Sequence, residues 1–499
     1  MLPKPKKVEL SGMRGRLAII LIGILTVLYS ESEAQQSNGR KGKEAEAFQE
    51  IDTLEFQLLE VNRILIVGNK TTQDRIILRE LSLNPGDTIS NKRITQVLER
   101  DKKKIYNLRL FNTVEIRPIT LSQGKVDLLI ELTERWYTFP VPIFELSDRN
   151  FNEWWETYEH DFRRVNYGLR LYQYNFRGRN ETLRLTGQFG FSRRFDLAYQ
   201  IPNLDRNQKQ GLSFLFSYAQ PKNLSYFTDE HKLLFLKSDK VLRTNSLVAV
   251  NYSYRKSFYE THNIGIEYRN SEIADTIAIL NPNYYGNGNT RQRYESITYS
   301  FNSDHRDVFA YPLNGHQSNI YLKKIGLGLS SDVDQFEINL THARYIDLKN
   351  GYYFSNFSSV YLSTPQSQPY SFYNAIGYRK QFLRGYEVFL IEGSRFFLNK
   401  TTLKKRIFSR GWHLANMPHE QFSYFPLSIY LKGYADIGYV ENFNRYQELL
   451  INNSLSNKFL IGAGGGIDVV TFYDTVLRFE YSFTRQGTHG FFFNIKKEF

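Results

Sequence analysis

The segment LSIYLKGYADIGYV (427–440) alternates between apolar and polar side chains. Its apolar side chains share one parity: Leu427, Ile429, Leu431, Ala435 and Ile437. The other parity carries the polar groups: Ser428, Tyr430, Lys432, Tyr434 and Asp436. Successive side chains of a β-strand point to opposite faces of the sheet, so this segment is predicted to be a strand with one apolar and one charged face.

The same alternation continues over residues 160–499, as in VLRFEYSF (476–483). A soluble β-sandwich also alternates, but this length without a domain break is unusual for one. Apolar residues on one face and charges on the other fit a transmembrane barrel wall between lipid and a wet lumen. The turn signals RGRN (177–180), PLNG (312–315) and LKNG (348–351) suggest roughly 14 to 18 strands, and we predict a sixteen-stranded antiparallel barrel.

The composition is compatible with a barrel. Aromatic residues make up 15% of the 499-residue chain, and membrane barrels are rich in them. The mean hydropathy of −0.45 excludes a polytopic helical membrane protein but not a barrel. The chain contains no cysteine, so neither a disulfide nor a lipid on a leading cysteine is expected.

The N-terminus has the layout of a secretory signal peptide, predicted over residues 1–34. Lysines and arginines precede the apolar run LAIILIGILTVLY (17–29), and Ser32 and Ala34 are suitably small for cleavage before Gln35. The alternative is an uncleaved membrane anchor, but the run is shorter than the ~20 residues that a span needs. Residues 35–56 are polar and are predicted to be a flexible lead.

Residues 57–137 predict a small α+β domain with the order β-α-α-β-β. VNRILIVGN (61–69) is predicted to be a strand. Residues 71–83, behind a threonine cap, and residues 89–111 are predicted to be helices, because their apolar residues recur at helical spacing. TVEIRPI (113–119) and KVDLLIELTER (125–135) are predicted to be strands around a short turn. Residues 138–159, with Pro140 and Pro142, are predicted to be a linker to the barrel.

The element order and the phrases VNRILIVGNKTTQDRI, LNPGDTIS and LRLFNTVEIRPI resemble a polypeptide-transport-associated (POTRA) domain. Families with this domain use it in the periplasm to handle unfolded chains, commonly by strand addition to a sheet edge. A POTRA domain before a barrel resembles the BamA/TamA-like outer-membrane assembly and secretion superfamily.

Three motifs carry this second resemblance, in the family's order. SDHRDVFAYPLNG (303–315) resembles its mid-barrel motif, LRGY (383–386) its Arg-Gly-aromatic loop, and YADIG (434–438) its aromatic-x-Asp-x-Gly strand. The resemblance implies that the loop folds into the lumen, where Arg384 pairs with Asp436. Gly385 would permit close approach to the wall, Tyr386 would pack beside it, and Tyr434 and Gly438 would belong to the partner strand.

The C-terminal segment HGFFFNIKKEF (489–499) resembles the insertion signal of outer-membrane barrels. Phe491, Phe493, Ile495 and Phe499 share one face, and Lys497 interrupts that series. The resemblance also implies a seam between the first strand, predicted at about 166–176, and the last, predicted at 490–499. Weak pairing at this seam would expose backbone groups to a client strand.

No enzyme signature stands out. The chain has no cysteine, no HExxH and no Gly-x-Ser-x-Gly, its nine histidines are scattered, and GAGGG (462–466) lacks the following helix of a phosphate loop. We therefore predict a non-enzyme without cofactor or metal, and the glycines are expected to relieve crowding between strands. A lipid hydrolase with a lumenal active site is the alternative that alternation leaves open.

The expected location is a Gram-negative-type outer membrane, with the POTRA domain in the periplasm. Export makes nucleic acid an improbable partner for the +13 net charge, whereas a membrane surface or an acidic partner fits it. The expected role is assembly or insertion of outer-membrane proteins, or accessory translocation. A two-partner-type secretion pore and a passive structural barrel remain alternatives. Expected partners are unfolded outer-membrane or secreted clients, outer-membrane lipid, and periplasmic or lipoprotein subunits.

Overall fold

Two helices and a four-stranded sheet form the N-terminal domain. The computed structural model describes residues 58–122, 124–146, 165–329, 331–377, 381–414, 417, 421 and 423–495. The domain's elements are β1 (Leu58–Val67), α1 (Asp74–Leu78), β2 (Thr88–Ser90), α2 (Asn91–Asn107), β3 (Phe111–Ser122) and β4 (Lys125–Glu134). The sheet order is β2-β1-β4-β3, with β1 and β4 parallel and the other pairs antiparallel. β3 is therefore the long edge strand.

The apolar stripe of α2 packs this domain together. Ile94, Leu98 and Ile105 are at most 4% exposed, and they recur at the spacing that puts them on one helix face. They contact the sheet through Val126, Leu128 and Ile130, which are fully buried. The predicted α+β class follows from this periodicity and is confirmed.

The predicted order β-α-α-β-β lacks one strand, and both predicted helices are too long. Residues 88–90 pair with β1 and are extended, so α2 begins at Asn91 and not at 89. Thr72 does not cap the first helix. Its hydroxyl and its backbone N–H contact the Glu134 carboxylate at 2.6 and 2.7 Å, and the helix starts only at Asp74. A tertiary contact thus replaces the local cap that the sequence suggested.

Sixteen antiparallel strands form the second part of the chain, as predicted. Their bounds are β5 (Thr138–Leu146), β6 (Val165–Phe176), β7 (Glu181–Gly190), β8 (Arg193–Ile201), β9 (Gln210–Gln220), β12 (Arg243–Arg255), β13 (Glu260–Ile273), β14 (Arg291–Asp304), β15 (Gly315–Ile325), β16 (Gln335–Lys349), β17 (Tyr352–Thr364), β20 (Arg395–His413), β21 (Tyr424–Glu441), β22 (Phe459–Thr471), β23 (Thr475–Thr484) and β24 (His489–Ile495). Each is paired with the next along this list.

The alternation read from 427–440 and 476–483 is confirmed. Asp436 and Glu480 are fully buried on the inner face. Leu431 and Phe483, on the opposite face, are 51% and 55% exposed, as expected of side chains that meet lipid. On β24, Phe491, Phe493 and Ile495 are also exposed on that outer face, whereas Phe499 lies outside the described residues.

The predicted linker over 138–159 is wrong in its first part, because Thr138–Leu146 is a strand. β5, not the segment near 166–176, is the first strand of the sheet, and the barrel begins before residue 160. The two prolines argued against a strand, but an edge strand tolerates proline where the missing N–H faces away from its partner. Residues 147–159, the signal peptide (1–34) and the flexible lead (35–56) lie outside the described residues.

Turns between strands lie at two rims of the sheet. One rim contacts the N-terminal domain. Several connections at the opposite rim are long, and they contain β10 (Asn223–Asp229), β11 (Lys232–Lys237), α3 (Asp275–Leu280), β18 (Ala375–Ile376), β19 (Ile391–Glu392) and α4 (Asn444–Glu448). None of the helices in the described part of the chain is long and apolar enough to cross a membrane.

Candidate functional site

Residues 381–390, named here the inserted loop, carry the Arg-Gly motif. They belong to the connection between β17 and β20 at the opposite rim, yet Leu383, Arg384 and Tyr386 are at most 4% exposed. Leu383 packs in a core cluster with Leu398 of β20 and Leu460 of β22. The loop therefore folds inward against the inner face of β20–β23, named here the wall.

Arg384 and Asp436 lie together inside the sheet. The Nε–H of Arg384 donates to Asp436 Oδ2 at 2.8 Å, and a second guanidinium N–H donates to Oδ1, which makes the contact bidentate. The Arg384 backbone N–H also donates to Oδ2 at 3.2 Å. Its other donors reach Thr402 Oγ1 at 2.9 Å and the Thr401 carbonyl at 3.2 Å, and Tyr434 lies with its ring centroid 4.0 Å from the guanidinium. All three nitrogen atoms of the planar Arg384 guanidinium therefore donate hydrogen bonds.

Glycines make the close approach possible. Gly385 has φ +91°, a backbone conformation that favours glycine. At Gly462 of β22, a Cβ would lie 1.9 Å from the carbonyl oxygen of Arg384. The side chains of Ile376 and Leu383 pack where a Cβ on Gly438 would lie. Tyr386 contacts Ile461 O at 3.3 Å and Gln486 through its hydroxyl.

The pair belongs to a larger buried charge network on the wall. Its members are three cations and three carboxylates: Arg384, Lys432, Arg478, Asp436, Asp468 and Glu480. Lys432 Nζ lies 2.6 Å from Asp468 and 2.8 Å from Glu480, and Glu480 is 3.8 Å from Arg384. Since all six are at most 5% exposed, each charge depends on the others for its neutralisation.

A second segment reaches the same wall from the domain-side rim. Residues 305–314, named here the lower insert, connect β14 and β15. Tyr311 donates from its hydroxyl to Asp468 at 2.9 Å and packs on Tyr353 and Tyr430. Arg306 makes a bidentate contact with Asp304. The sequence motif indicated that this segment is functional. It did not predict that Tyr311 joins the charge network, because Tyr311 carries no charge and is distant in sequence from the wall strands.

The N-terminal domain contacts turns from around its rim of the sheet, and both parts belong to one compact unit. Arg255, at the end of β12, binds Glu80 with two hydrogen bonds of 2.7 Å. Asn107 donates to Asp307 O and accepts from Phe309 N, both at 3.1 Å, so α2 holds the lower insert. Other contacts join Gln73 to Gly178, Arg75 to Gln208, Asn112 to Gln421 and Arg135 to Asp474.

The carboxylates of both ion pairs of this interface are buried. Burial alone would raise the pKa of Glu80, but hydrogen bonds and charge from Arg255, with charge from Arg79, bring it below its usual value. Burial likewise acts to raise the pKa of Asp474, and the charge and hydrogen bond of Arg135 lower it overall. Carboxylates with lowered pKa stabilise the interface at neutral pH and lose that contribution as acid protonates them.

The two terminal strands of the sheet form its seam. No ladder joins β5 to β24 among the described residues. The Tyr174 N–H donates to the Tyr137 carbonyl oxygen at 2.8 Å, and these two residues lie opposite each other in the β5–β6 register. In an antiparallel pair, hydrogen-bonded positions alternate along each strand. The odd-numbered residues of this segment therefore direct their backbone hydrogen bonds toward β6. Pro140 and Pro142 are even-numbered and therefore direct their nitrogens toward the free edge. Two backbone donors are missing there.

The lumen beside the first strands is less filled than the wall. A cavity of about 680 Å³ lies between the N-terminal domain and β5–β7. Aromatic side chains dominate its lining: Trp136, Tyr137, Phe139, Tyr172, Tyr174, Phe472 and Tyr473. Arg109 is an exposed cation in the same lining.

Comparison with known proteins identifies the N-terminal domain. Residues 59–135 match the POTRA family, described as surface antigen variable number repeat. The chain is 34% identical over 87 residues, 17% of its length, to a putative outer membrane protein assembly factor of Treponema pallidum. It is 29% identical over 80 residues, 16% of its length, to the outer membrane protein assembly factor BamA of Nitratidesulfovibrio vulgaris. Each match spans 10% of the relative's own length.

The sheet has a known barrel fold. CdiB from Escherichia coli superposes with a TM-score of 0.52 and 10% identity, covering 88% of this chain and 76% of that one. A POTRA domain followed by a sixteen-stranded antiparallel barrel is the architecture that these features define. Residues 59–135 of this chain are therefore a POTRA domain, and the chain shares its overall fold with CdiB.

We predict that Arg384 and Asp436 act as one unit. Arg384→Ala and Asp436→Ala should each lower the temperature at which the folded form unfolds on a denaturing gel. A broken buried pair costs about 3–5 kcal/mol and an exposed pair about 0–1 kcal/mol, and burial puts this pair nearer the larger cost. The double variant should be little worse than either single one, and Arg384→Lys should restore only part of the stability. Additive single effects would show that the residues are not partners.

Gly462→Ala should displace the inserted loop, because the new Cβ would meet the Arg384 carbonyl. Gly433→Ala is the matched control, since a Cβ there would have nothing closer than 4.0 Å. We expect faster proteolysis of the loop from outside the cell and a lower unfolding temperature for Gly462→Ala alone. Equal behaviour of the two variants would contradict the loop's position.

Proposed function

We propose that this protein is an outer-membrane assembly factor that inserts client chains through the seam between β5 and β24, or passes them as an accessory translocation protein. The observation that carries the proposal is the seam, where no ladder joins β5 to β24 in the part of the chain that the structure describes and where the first strand contains Pro140 and Pro142. Every other neighbouring pair in the sheet has a ladder. A sheet edge with free backbone groups can pair with another extended chain.

The POTRA domain is proposed to receive the client. β3 is an edge strand of twelve residues, and its outer segment exposes Ile119 and Leu121 at 39% and 51%. An extended peptide could add to this edge by backbone hydrogen bonds, whereas β2 offers only three residues. Weak binding is expected, because the peptide loses backbone entropy when it docks.

The occupied wall side of the lumen supports passage at the seam. The inserted loop and the lower insert both occupy the wall side, and the POTRA domain lies against the periplasmic rim. A client moving through the lumen along the wall would have to displace buried ion pairs. A client pairing at the seam has to break no ladder within the described strands. A passive structural barrel would not need a lumenal loop that this charge network holds in place.

A second candidate function, a two-partner-type secretion pore, is favoured by the aromatic cavity at β5–β7. Its rings and the nearby Arg109 suit an extended polypeptide that stacks and hydrogen-bonds without a fixed sequence. In this mode the inserted loop would have to leave the wall before transport. A non-enzymatic role is proposed for both candidates, since the clustered lumenal charges neutralise each other and are arranged around the loop. The clients would be unfolded outer-membrane or secreted proteins, with accessory subunits and lipid as further partners.

Replacing both seam prolines tests the preferred mode. Pro140→Thr/Pro142→Thr returns two backbone donors to the free edge of β5, each bond contributing about 0.5–1.5 kcal/mol if it pairs with β24. We expect a higher unfolding temperature of the barrel and a loss of outer-membrane proteins, measured by quantitative proteomics of the membrane in cells that carry only this variant.

Pro221→Thr/Pro282→Thr, in connections at the opposite rim, is the control for the loss of proline itself. It should leave the level of outer-membrane proteins unchanged and should not raise the unfolding temperature, because losing proline makes the unfolded chain more favourable. Lost export of one secreted protein, with outer-membrane proteins at normal levels, would favour the pore. Normal client levels together with a more stable barrel would contradict insertion at the seam.

A further inference from the structure

A basic cleft of about 480 Å³ lies between the POTRA helix α2 and the periplasmic rim, at the β12–β13 and β14–β15 connections and so away from the seam. Its lining comes from α2, from the turn between β12 and β13, and from the lower insert: Arg93, Gln96, Val97, Glu99, Arg100, Lys103, Lys104, Asn107, Phe258, Tyr259, His305, Arg306, Asp307 and Asn314. Five arginines and lysines face two carboxylates in this set. The cleft is therefore cationic.

The cations of α2 differ in how they are engaged. Arg100 and Lys104 donate to Ser82 Oγ at 3.1 and 2.8 Å, and Lys104 also pairs with Asp101. Arg93 and Lys103 are exposed, and no described carboxylate lies within ion-pair distance of either. The spacing of 93, 100 and 103 follows about two and three turns of the helix, which keeps these residues on one face. Two cations in the cleft are thus available to a ligand.

The opposite side of the cleft is aromatic. Tyr259 stacks on His305 with ring centroids 4.3 Å apart, and Lys104 lies 5.9 Å from the centroid of Phe258. Asp307 is already engaged, because its Oδ1 accepts from Val308 N and Leu313 N at 2.8 and 3.0 Å. A ligand would therefore meet cations on one side and ring faces on the other.

The cleft lies at the depth of lipid headgroups. Tyr252 and Tyr254 of β12 point outward, are 38% and 39% exposed, and immediately precede the turn that contributes Phe258 and Tyr259. Tyrosines that face lipid near a strand end mark the membrane–water interface of a barrel. A cationic cleft just beyond this belt faces the phosphates of the periplasmic leaflet.

We propose that the cleft binds the phosphate of an anionic phospholipid of the periplasmic leaflet. Arg93 and Lys103 contact the phosphate, and Phe258 and Tyr259 pack against the apolar part next to it. The bound lipid holds α2 against the membrane. Since Asn107 of α2 also holds the lower insert, the lipid steadies the contact between the POTRA domain and the barrel.

Lipid binding by the full-length protein tests this site. The protein is stripped of lipid in detergent and titrated with phosphatidylglycerol or with zwitterionic phosphatidylcholine, and bound lipids are counted by native mass spectrometry. The wild type should prefer phosphatidylglycerol. Arg93→Gln/Lys103→Gln should weaken phosphatidylglycerol binding about thirtyfold, since two charges near an anionic surface are removed. Phosphatidylcholine binding should be unchanged.

Lys240→Gln/Lys458→Gln removes the same charge from the opposite rim and should leave phosphatidylglycerol binding as in the wild type. Excess inorganic phosphate should not displace the lipid, because it lacks the apolar part that packs on the rings. Equal binding by the two double variants would overturn the proposal. Displacement by inorganic phosphate would also overturn it, because the site would then recognise a soluble anion.

Discussion

Three cations and three carboxylates buried on one wall of the barrel hold the rest of this structure in place. A buried charge without partners is costly, so each of the six side chains depends on the positions of its neighbours. Arg384 reaches the network from the inserted loop, and Tyr311 reaches Asp468 from the lower insert. Two segments that enter from opposite ends are thereby held on the same strands. Removing either one leaves a buried carboxylate with fewer donors.

The wall is connected by contacts to the two surfaces that we propose to bind clients, the POTRA edge strand β3 and the seam. The lower insert is held by Asn107 of the POTRA helix, while the inserted loop lies on β20–β23, next to β24 at the seam. Hydrogen bonds and ion pairs thus connect the POTRA domain with the strands beside the seam. A client at the POTRA edge and an opening seam would act on the two ends of this chain of contacts. Such a connection is a route for coupling, and its strength is a matter for measurement.

Much of the barrel could be predicted because strand alternation is a local signal. Each inward charge, such as Asp436 or Glu480, has apolar neighbours on both sides in sequence, and the strand period assigns its face. The motif LRGY also indicated Arg384, through family resemblance. β5 was missed because Pro140 and Pro142 indicate a linker when pairing is unknown. The contacts of Tyr311, Asn107 and Glu80 join segments distant along the chain, and no sequence period records such contacts.

The helix errors have the same origin. Thr72 has the chemistry of a helix cap, but Glu134, sixty-two residues away, takes its hydroxyl and its N–H. Thr88 and Ser90 are residues that often begin a helix, but residues 88–90 pair with β1 as a strand. In both places a tertiary partner decides the conformation. The signal peptide, the lead and the terminal Phe499 stay predictions.

An engineered disulfide between the inserted loop and the wall tests the central claim most directly. A Cβ on Gly385 would lie 3.4 Å from the Ser482 Cβ, close to the 3.5–4.5 Å of a disulfide, and the chain has no other cysteine. Gly385→Cys/Ser482→Cys should cross-link in folded protein in the outer membrane, detected as a shift in gel migration that reductant reverses. Gly385→Cys alone must retain the heat-dependent migration of a folded barrel, because Gly385 has a positive φ. A folded double variant whose two thiols both stay free to maleimide under oxidising conditions would contradict a loop held against this wall.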